Sequence, residues 1–186
     1  IAGSPSVFMN IYGLTEQQYG WVFALLAFAM IGSTQLNHVI LKKFTSEQVI
    51  RFALLYQTFT GLILVAGVYF QLFNVYSLIA MMFIFFAGQG ITGPNATALS
   101  LAPFSKQAGS ASALFGSWRL GAGGIISAIV SLFHNNTALP MVTTMAGCAI
   151  IGLIILSIGN FRVKYKARKK QVEEATSIIH PASQPE

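Results

Sequence analysis

The chain has 186 residues, of which 54% are hydrophobic and 9% charged, with a formal net charge of +6 and a mean hydropathy of +0.65. Soluble domains average about 25% charged residues, so this make-up points away from a water-soluble fold. The basic residues flank apolar runs instead of forming one stripe with exposed aromatics, which argues against a nucleic-acid partner, and the single cysteine, Cys148, excludes an internal disulfide.

The opening stretch 1–12 is apolar but shorter than the about 20 residues that a membrane span needs. It is expected to be a partial helix whose beginning precedes Ile1. Complete spans are predicted near 20–41, 52–70, 75–101, 109–133 and 140–161. The gaps after the first, third and fifth of these hold Lys42, Lys43 and Arg51, then Lys106, then Arg162, Lys164, Lys166, Arg168, Lys169 and Lys170. The intervening gaps carry one formal charge, Glu16. Lysine and arginine confined to alternate gaps mark the cytoplasmic face of a multi-pass protein, so the expected fold class is an all-α polytopic membrane bundle over 1–161, with the lipid bilayer as its solvent. The short gaps leave no room for an extramembrane domain. The tail, 162–186, is basic and then polar. Its basic part is expected on the cytoplasmic side against anionic lipid, and its end disordered.

Helices in lipid associate through small residues that let backbones approach. Gly88, Thr92, Ala96 and Ser100 recur every four residues along the third complete span, and Gly109, Ala113, Ser117 and Gly121 do so along the fourth, beside Ala108, Ser112 and Gly116. Such rows either pack helices statically or form weakly committed interfaces on which helices rock. Gly88-Gln89-Gly90-Ile91-Thr92-Gly93 matches GxGxxG, but a dinucleotide fingerprint needs a preceding strand, which an all-helical membrane chain lacks. Pro94 removes a backbone donor in mid-helix and strips the carbonyl of Gly90 of its partner. Gly90, Gly93 and Pro94 together predict a helix kink. Gln89, Thr92 and Asn95 cluster at this break, where they can face a cavity and meet substrate or bond to neighbouring helices.

Arg119 is roughly ten residues from either end of its span, about 15 Å along the helix axis, too far for comfortable snorkelling. It is expected to point inward. A guanidinium stays protonated and offers five donors in a fixed fork, so Arg119 suits substrate binding or gating, or a structural bond to helix carbonyls. No Asp or Glu lies within any span, so a carboxylate partner would have to come from elsewhere. Trp118 is expected to pack. His38, beside Gln35 and Asn37, suits a helix end at the water interface better than a proton relay. The chain contains no aspartate, which excludes a Ser/His/Asp hydrolase, and His38, His134 and His180 lie too far apart in sequence to suggest a metal site. Enzymatic activity, cofactors and metals are therefore not expected.

The run Gly93-Pro94-Asn95-Ala96-Thr97-Ala98-Leu99-Ser100-Leu101-Ala102-Pro103-Phe104, followed by Ala108-Gly109-Ser110-Ala111-Ser112-Ala113-Leu114-Phe115-Gly116 and Arg119-Leu120-Gly121, closely resembles the bicyclomycin-resistance type of drug:proton antiporters in the major facilitator superfamily. Ser4-Pro5-Ser6-Val7-Phe8, Tyr12-Gly13-Leu14 and Gln17-Gln18-Tyr19-Gly20 resemble the end of that family's seventh helix and the loop beyond it. The resemblance implies the C-terminal six-helix half of a twelve-helix transporter, its first helix truncated, with an N-terminal six-helix half as partner. It also implies a bacterial inner-membrane location, a small amphipathic drug-like substrate, and proton exchange through acidic residues of the other half. By the same analogy the helix with Gln89, Thr92 and Asn95 lines the cavity and Arg119 lies near the seam between halves. The family's charged loop motif is reduced here to Gly32, Asn37, Lys42 and Lys43.

The expected function is multidrug efflux by drug:proton antiport with alternating access. The competing class is a non-transporting membrane subunit or scaffold that docks another helical protein through Arg119 and the small-residue faces. An intramembrane Asp or Glu in a second six-span unit encoded upstream would distinguish the first from the second.

Overall fold

The computed structural model describes residues 4–132 and 137–179, with side chains at 6, 105, 132 and 160–179 excepted. His134, Asn135, Asn136, His180 and the end of the tail lie outside the described residues. A short π-helical turn, Ser6–Ile11, leads into five α-helices: α1 (Glu16–Ile40), α2 (Ser46–Tyr69), α3 (Val75–Leu101), α4 (Ala108–Leu132) and α5 (Leu139–Ile179). A 3-10 segment, Ala102–Gln107, joins α3 to α4. Among the described residues no strand occurs, and all five helices contain a stretch long and apolar enough to cross a membrane.

Two helices begin earlier than the apolar runs alone suggest. At α1, the backbone N–H of Thr15 donates to Gln18 Oε1 at 3.0 Å and the N–H of Gln18 donates back to Thr15 Oγ1 at 3.3 Å. Thr45 and Gln48 make the same reciprocal pair at 3.2 and 3.4 Å at the start of α2. Each pair satisfies two N–H groups that a helix start would otherwise leave bare, so polar residues ahead of the apolar run join the helix. Glu16 and Glu47 then sit in first turns, where the helix dipole favours a negative charge. At the other extreme α5 stays helical to Ile179, through the basic part of the tail.

Helix α3 lies between α1 and α2 and packs on both, while α5 packs on α2. Buried residues change character along this bundle. Towards the end lacking lysine and arginine, Phe8, Val22, Leu26, Leu64, Leu78, Met82, Phe85 and Val142 form an apolar core. Further along, the polar residues Ser33, Asn37, Gln57, Thr60 and Asn95 are buried beside apolar ones such as Val49, Ile50, Ala53 and Leu54. The outer surface is the reverse of a soluble protein's: Trp21, Phe28, Phe59, Tyr76 and Leu120 are each more than 65% exposed. That many large apolar side chains turned outward suits a hydrocarbon solvent. Helix α4 is set apart, touching α3 and α5 only slightly, and no residue of its apolar stretch is buried.

Candidate functional site

The distinctive chemistry of the chain is concentrated on α3 between Gly88 and Asn95, and two glycines bring it into reach of its neighbours. A Cβ at Gly88 would lie 2.5 Å from Cγ of Gln57 and 3.1 Å from Cδ1 of Tyr56, both on α2. At Gly90 a Cβ would collide with the carbonyl oxygen of Met30 and Oγ of Ser33, both on α1. Gly90 thus admits the backbone of α1 and Gly88 admits side chains of α2, and that close approach is the use of the GxG pattern here.

Polar side chains then bridge both contacts. Towards α2, Thr92 Oγ1 lies 2.7 Å from Gln57 Oε1 and 3.0 Å from the carbonyl of Gly88, either of which can accept its single proton. Gln57 Nε2 donates to Gln89 Oε1 at 3.1 Å. Towards α1, Asn95 Nδ2 donates to Asn37 Oδ1 and to the carbonyl of Ile91, each at 2.8 Å. Gln57, Asn37 and Asn95 are 2%, 4% and 2% exposed, so these bonds form away from solvent. Asn95 Oδ1 is buried and has no hydrogen-bond partner.

The carbonyl of Gly90, stripped of its helical donor by Pro94, receives a bond from Thr34 Oγ1 at 2.9 Å, and the same hydroxyl lies 2.8 Å from the carbonyl of Met30. Helix α3 continues through Pro94, and a hydroxyl of α1 meets the carbonyl that the proline leaves bare. Of the two uses open to Gln89, Thr92 and Asn95, the structure brings all three into bonds with neighbouring helices or within α3. Their partners Thr34, Asn37 and Gln57 were not singled out from the sequence as an α3-binding set. One signal was available: Gln57 is the only amide in the apolar run 52–70, and an amide in lipid must find a partner.

Arg119 departs from expectation. It lies on α4 with its side chain exposed, not turned into the bundle, and makes no hydrogen bond or ion pair among the described residues. A charge at that depth needs shelter, and among the described residues the surface of α4 next to Arg119 is uncovered. Trp118, expected to pack, is 75% exposed. It lines a cleft of about 490 Å³ between the end of α3 and the start of α4, together with Ser100, Phe104, Gln107 and Leu114. The small-residue rows also part company. Gly88 is packed against α2, but Gly109, Gly116 and Gly121 have nothing within 4 Å of a built Cβ, and Ala113 and Ser117 are exposed. The packing expected of the α4 row is therefore not made among the described residues. Among the described residues no group of three or more potential metal ligands occurs.

A bundle of membrane-length helices, apolar outside and bonded through uncharged polar groups inside, defines a polytopic all-α membrane protein. The chain belongs to the major facilitator superfamily, among proteins of the bicyclomycin-resistance type, and corresponds to a C-terminal portion of them. It is 31% identical over 155 residues to a protein of Haemophilus influenzae named bicyclomycin resistance protein homolog, covering 83% of this chain and 38% of that one. It is 26% identical over 152 residues to the uncharacterized MFS-type transporter YdgK of Bacillus subtilis, covering 82% of this chain and 37% of that one. The chain thus spans less than two-fifths of the length of these curated relatives. No family model matches it, and no solved structure matches it significantly.

Proposed function

We propose that this chain is the C-terminal half of a secondary transporter of the bacterial inner membrane, exporting small amphipathic drugs in exchange for protons by alternating access, with its basic tail in the cytoplasm. The names of the relatives support a transporter and, in one case, drug resistance. The observation that carries the finer reading is the contrast between α3 and α4. Helix α3 is locked to α1 and α2 by buried polar bonds, which suits a half that moves as one body. Helix α4 offers a small-residue face and a guanidinium that, among the described residues, are uncovered and unpaired, which suits a surface that a second half slides against. On this reading Arg119 binds a substrate oxygen or a carboxylate of the N-terminal half as the halves change partners, and Trp118 and Phe104 offer an aromatic wall to an amphipathic molecule. Acidic residues of the other half carry the proton.

The test is efflux of a fluorescent cationic dye from cells producing the full-length protein with Arg119→Ala. The expected result is loss of efflux at unchanged abundance in the membrane. Wild-type efflux in that variant would rule out a transport role for Arg119. Loss of a co-purifying membrane protein, with the dye never transported even by the wild type, would favour the docking subunit instead.

A further inference from the structure

A second cavity lies on the opposite flank of α3 from the apolar core, where α1 and α2 diverge around it. This groove has a volume of about 600 Å³ and is walled by Leu36 and Ile40 of α1, Phe44 of the connecting loop, and Val49, Phe52 and Tyr56 of α2, with Ala87, Gly88 and Ile91 of α3 as its floor. Ligand sites commonly span about 300–1,000 Å³. Three polar residues reach the lining, and each is already engaged. Ser33 Oγ donates to the carbonyl of Met30 at 3.0 Å, Tyr56 Oη donates to the carbonyl of Ile84 at 3.0 Å, and Gln48 Oε1 accepts from the N–H of Thr45. What remains to meet a ligand is hydrocarbon, apart from the amide nitrogen of Gln48.

Charge is found only at one end. Lys42 and Lys43 stand in the loop between the lining residues Ile40 and Phe44, both exposed and neither ion-paired among the described residues. Among the described residues the carboxylate next to them in sequence, Glu47, does not offset them across the groove. At about 100° per residue, Glu47 and Arg51 share a face of α2 turned well away from the face carrying Gln48, Phe52 and Tyr56. An apolar groove whose end residues Ile40 and Phe44 flank two exposed lysines, unpaired among the described residues and set between helices built to span a bilayer, matches an amphiphile with an acyl chain and an anionic head.

We propose that the α1–α2 groove is a binding site for an anionic phospholipid, with an acyl chain along Leu36, Phe52 and Ala87 and the headgroup phosphate at Lys42 and Lys43. The site is independent of the transport reading, since it uses neither Arg119 nor the α3–α4 cleft.

The test is native mass spectrometry of the full-length protein in mild detergent, titrated with palmitoyl-oleoyl phosphatidylglycerol or with phosphatidylcholine of the same chains. The wild type should retain the glycerol lipid with an excess of at least about fivefold, the worth of one lysine at a membrane surface. Lys42→Gln with Lys43→Gln should bring the two lipids to parity, whereas Arg51→Gln should leave the excess intact. Filling the groove with Ala87→Trp should weaken both lipids. Leu36→Ser, at a 62% exposed lining position, should do the same without adding buried bulk and serves if the tryptophan variant fails to fold. Equal binding of both lipids by the wild type would overturn the proposal. So would an undiminished excess in the double lysine variant, or unchanged binding in the groove variants. Disulfide formation between Phe52→Cys, in a Cys148→Ser background, and a cysteine in the N-terminal half or on another polypeptide would show protein on the groove and overturn it as well.

Discussion

The hydroxyl of Thr34 lies 2.9 Å from the carbonyl of Gly90, the one carbonyl of α3 that Pro94 deprives of its helical donor. A defect in one helix is thereby closed by its neighbour, and the closure ties α1 to α3 where Gly90 meets the backbone of Met30. Thr34→Val should therefore lower stability by about 0.6 kcal/mol, the mean for hydrogen bonds between membrane helices, and by no more than about 1.7 kcal/mol, and Thr34→Ser should not. Pro94→Ala restores the missing N–H, so in that background the cost of Thr34→Val should shrink. Reversible unfolding in mixed detergent with rising dodecyl sulfate measures all four corners of this cycle.

Gly90 and Gly93 sit one turn apart and should respond oppositely to alanine. At Gly90 the added methyl meets the backbone of Met30, which can yield only if α1 and α3 separate, and the nearby Thr34 and Asn37 bonds would go with it. At Gly93 a Cβ meets nothing within 4 Å, and alanine gains up to about 1 kcal/mol in helix propensity over glycine. Thermal unfolding followed by fluorescence-detected size exclusion should show Gly90→Ala well below the wild type and Gly93→Ala at or above it. Equal losses at both sites would contradict the close crossing at Gly90.

Asn37 and Asn95 form a buried amide pair in which one Asn95 N–H bonds across the interface and the other bonds Ile91 of its own helix. Removing either side chain removes the same bond, so Asn37→Ala and Asn95→Ala should be less than additive. A coupling of about 0.6 kcal/mol is the mean for such pairs. Strictly additive losses in the same unfolding assay would mean that the two amides stabilise the bundle separately.

Much of this architecture was legible in the residues because a bilayer imposes coarse rules: spans must be long and apolar, and lysine and arginine keep to alternate gaps. The five long helices follow from that. Their starts at Glu16 and Ser46 did not, because Thr15/Gln18 and Thr45/Gln48 lie in polar gaps where hydropathy carries no signal; the T-x-x-Q spacing was the readable cue. The polar cluster on α3 was recognised from Pro94 and its neighbours, yet its partners were not. Asn37 and Gln57 lie 58 and 32 residues from the groups they meet, and no local pattern encodes such a pairing. Arg119 exposes a different limit. Depth in a span says that a charge needs shelter but not which helix gives it, and α4 finds little within this chain.

The central claim is that lysine and arginine mark one side of the membrane and that the helices thread it alternately. Single cysteines at Lys106 and Asn136, each in a Cys148→Ser background, test it by labelling intact cells with a membrane-impermeant maleimide. The account predicts that position 136 labels from outside while position 106 labels only after the membrane is opened. Labelling of both positions in intact cells, or of neither, would contradict it.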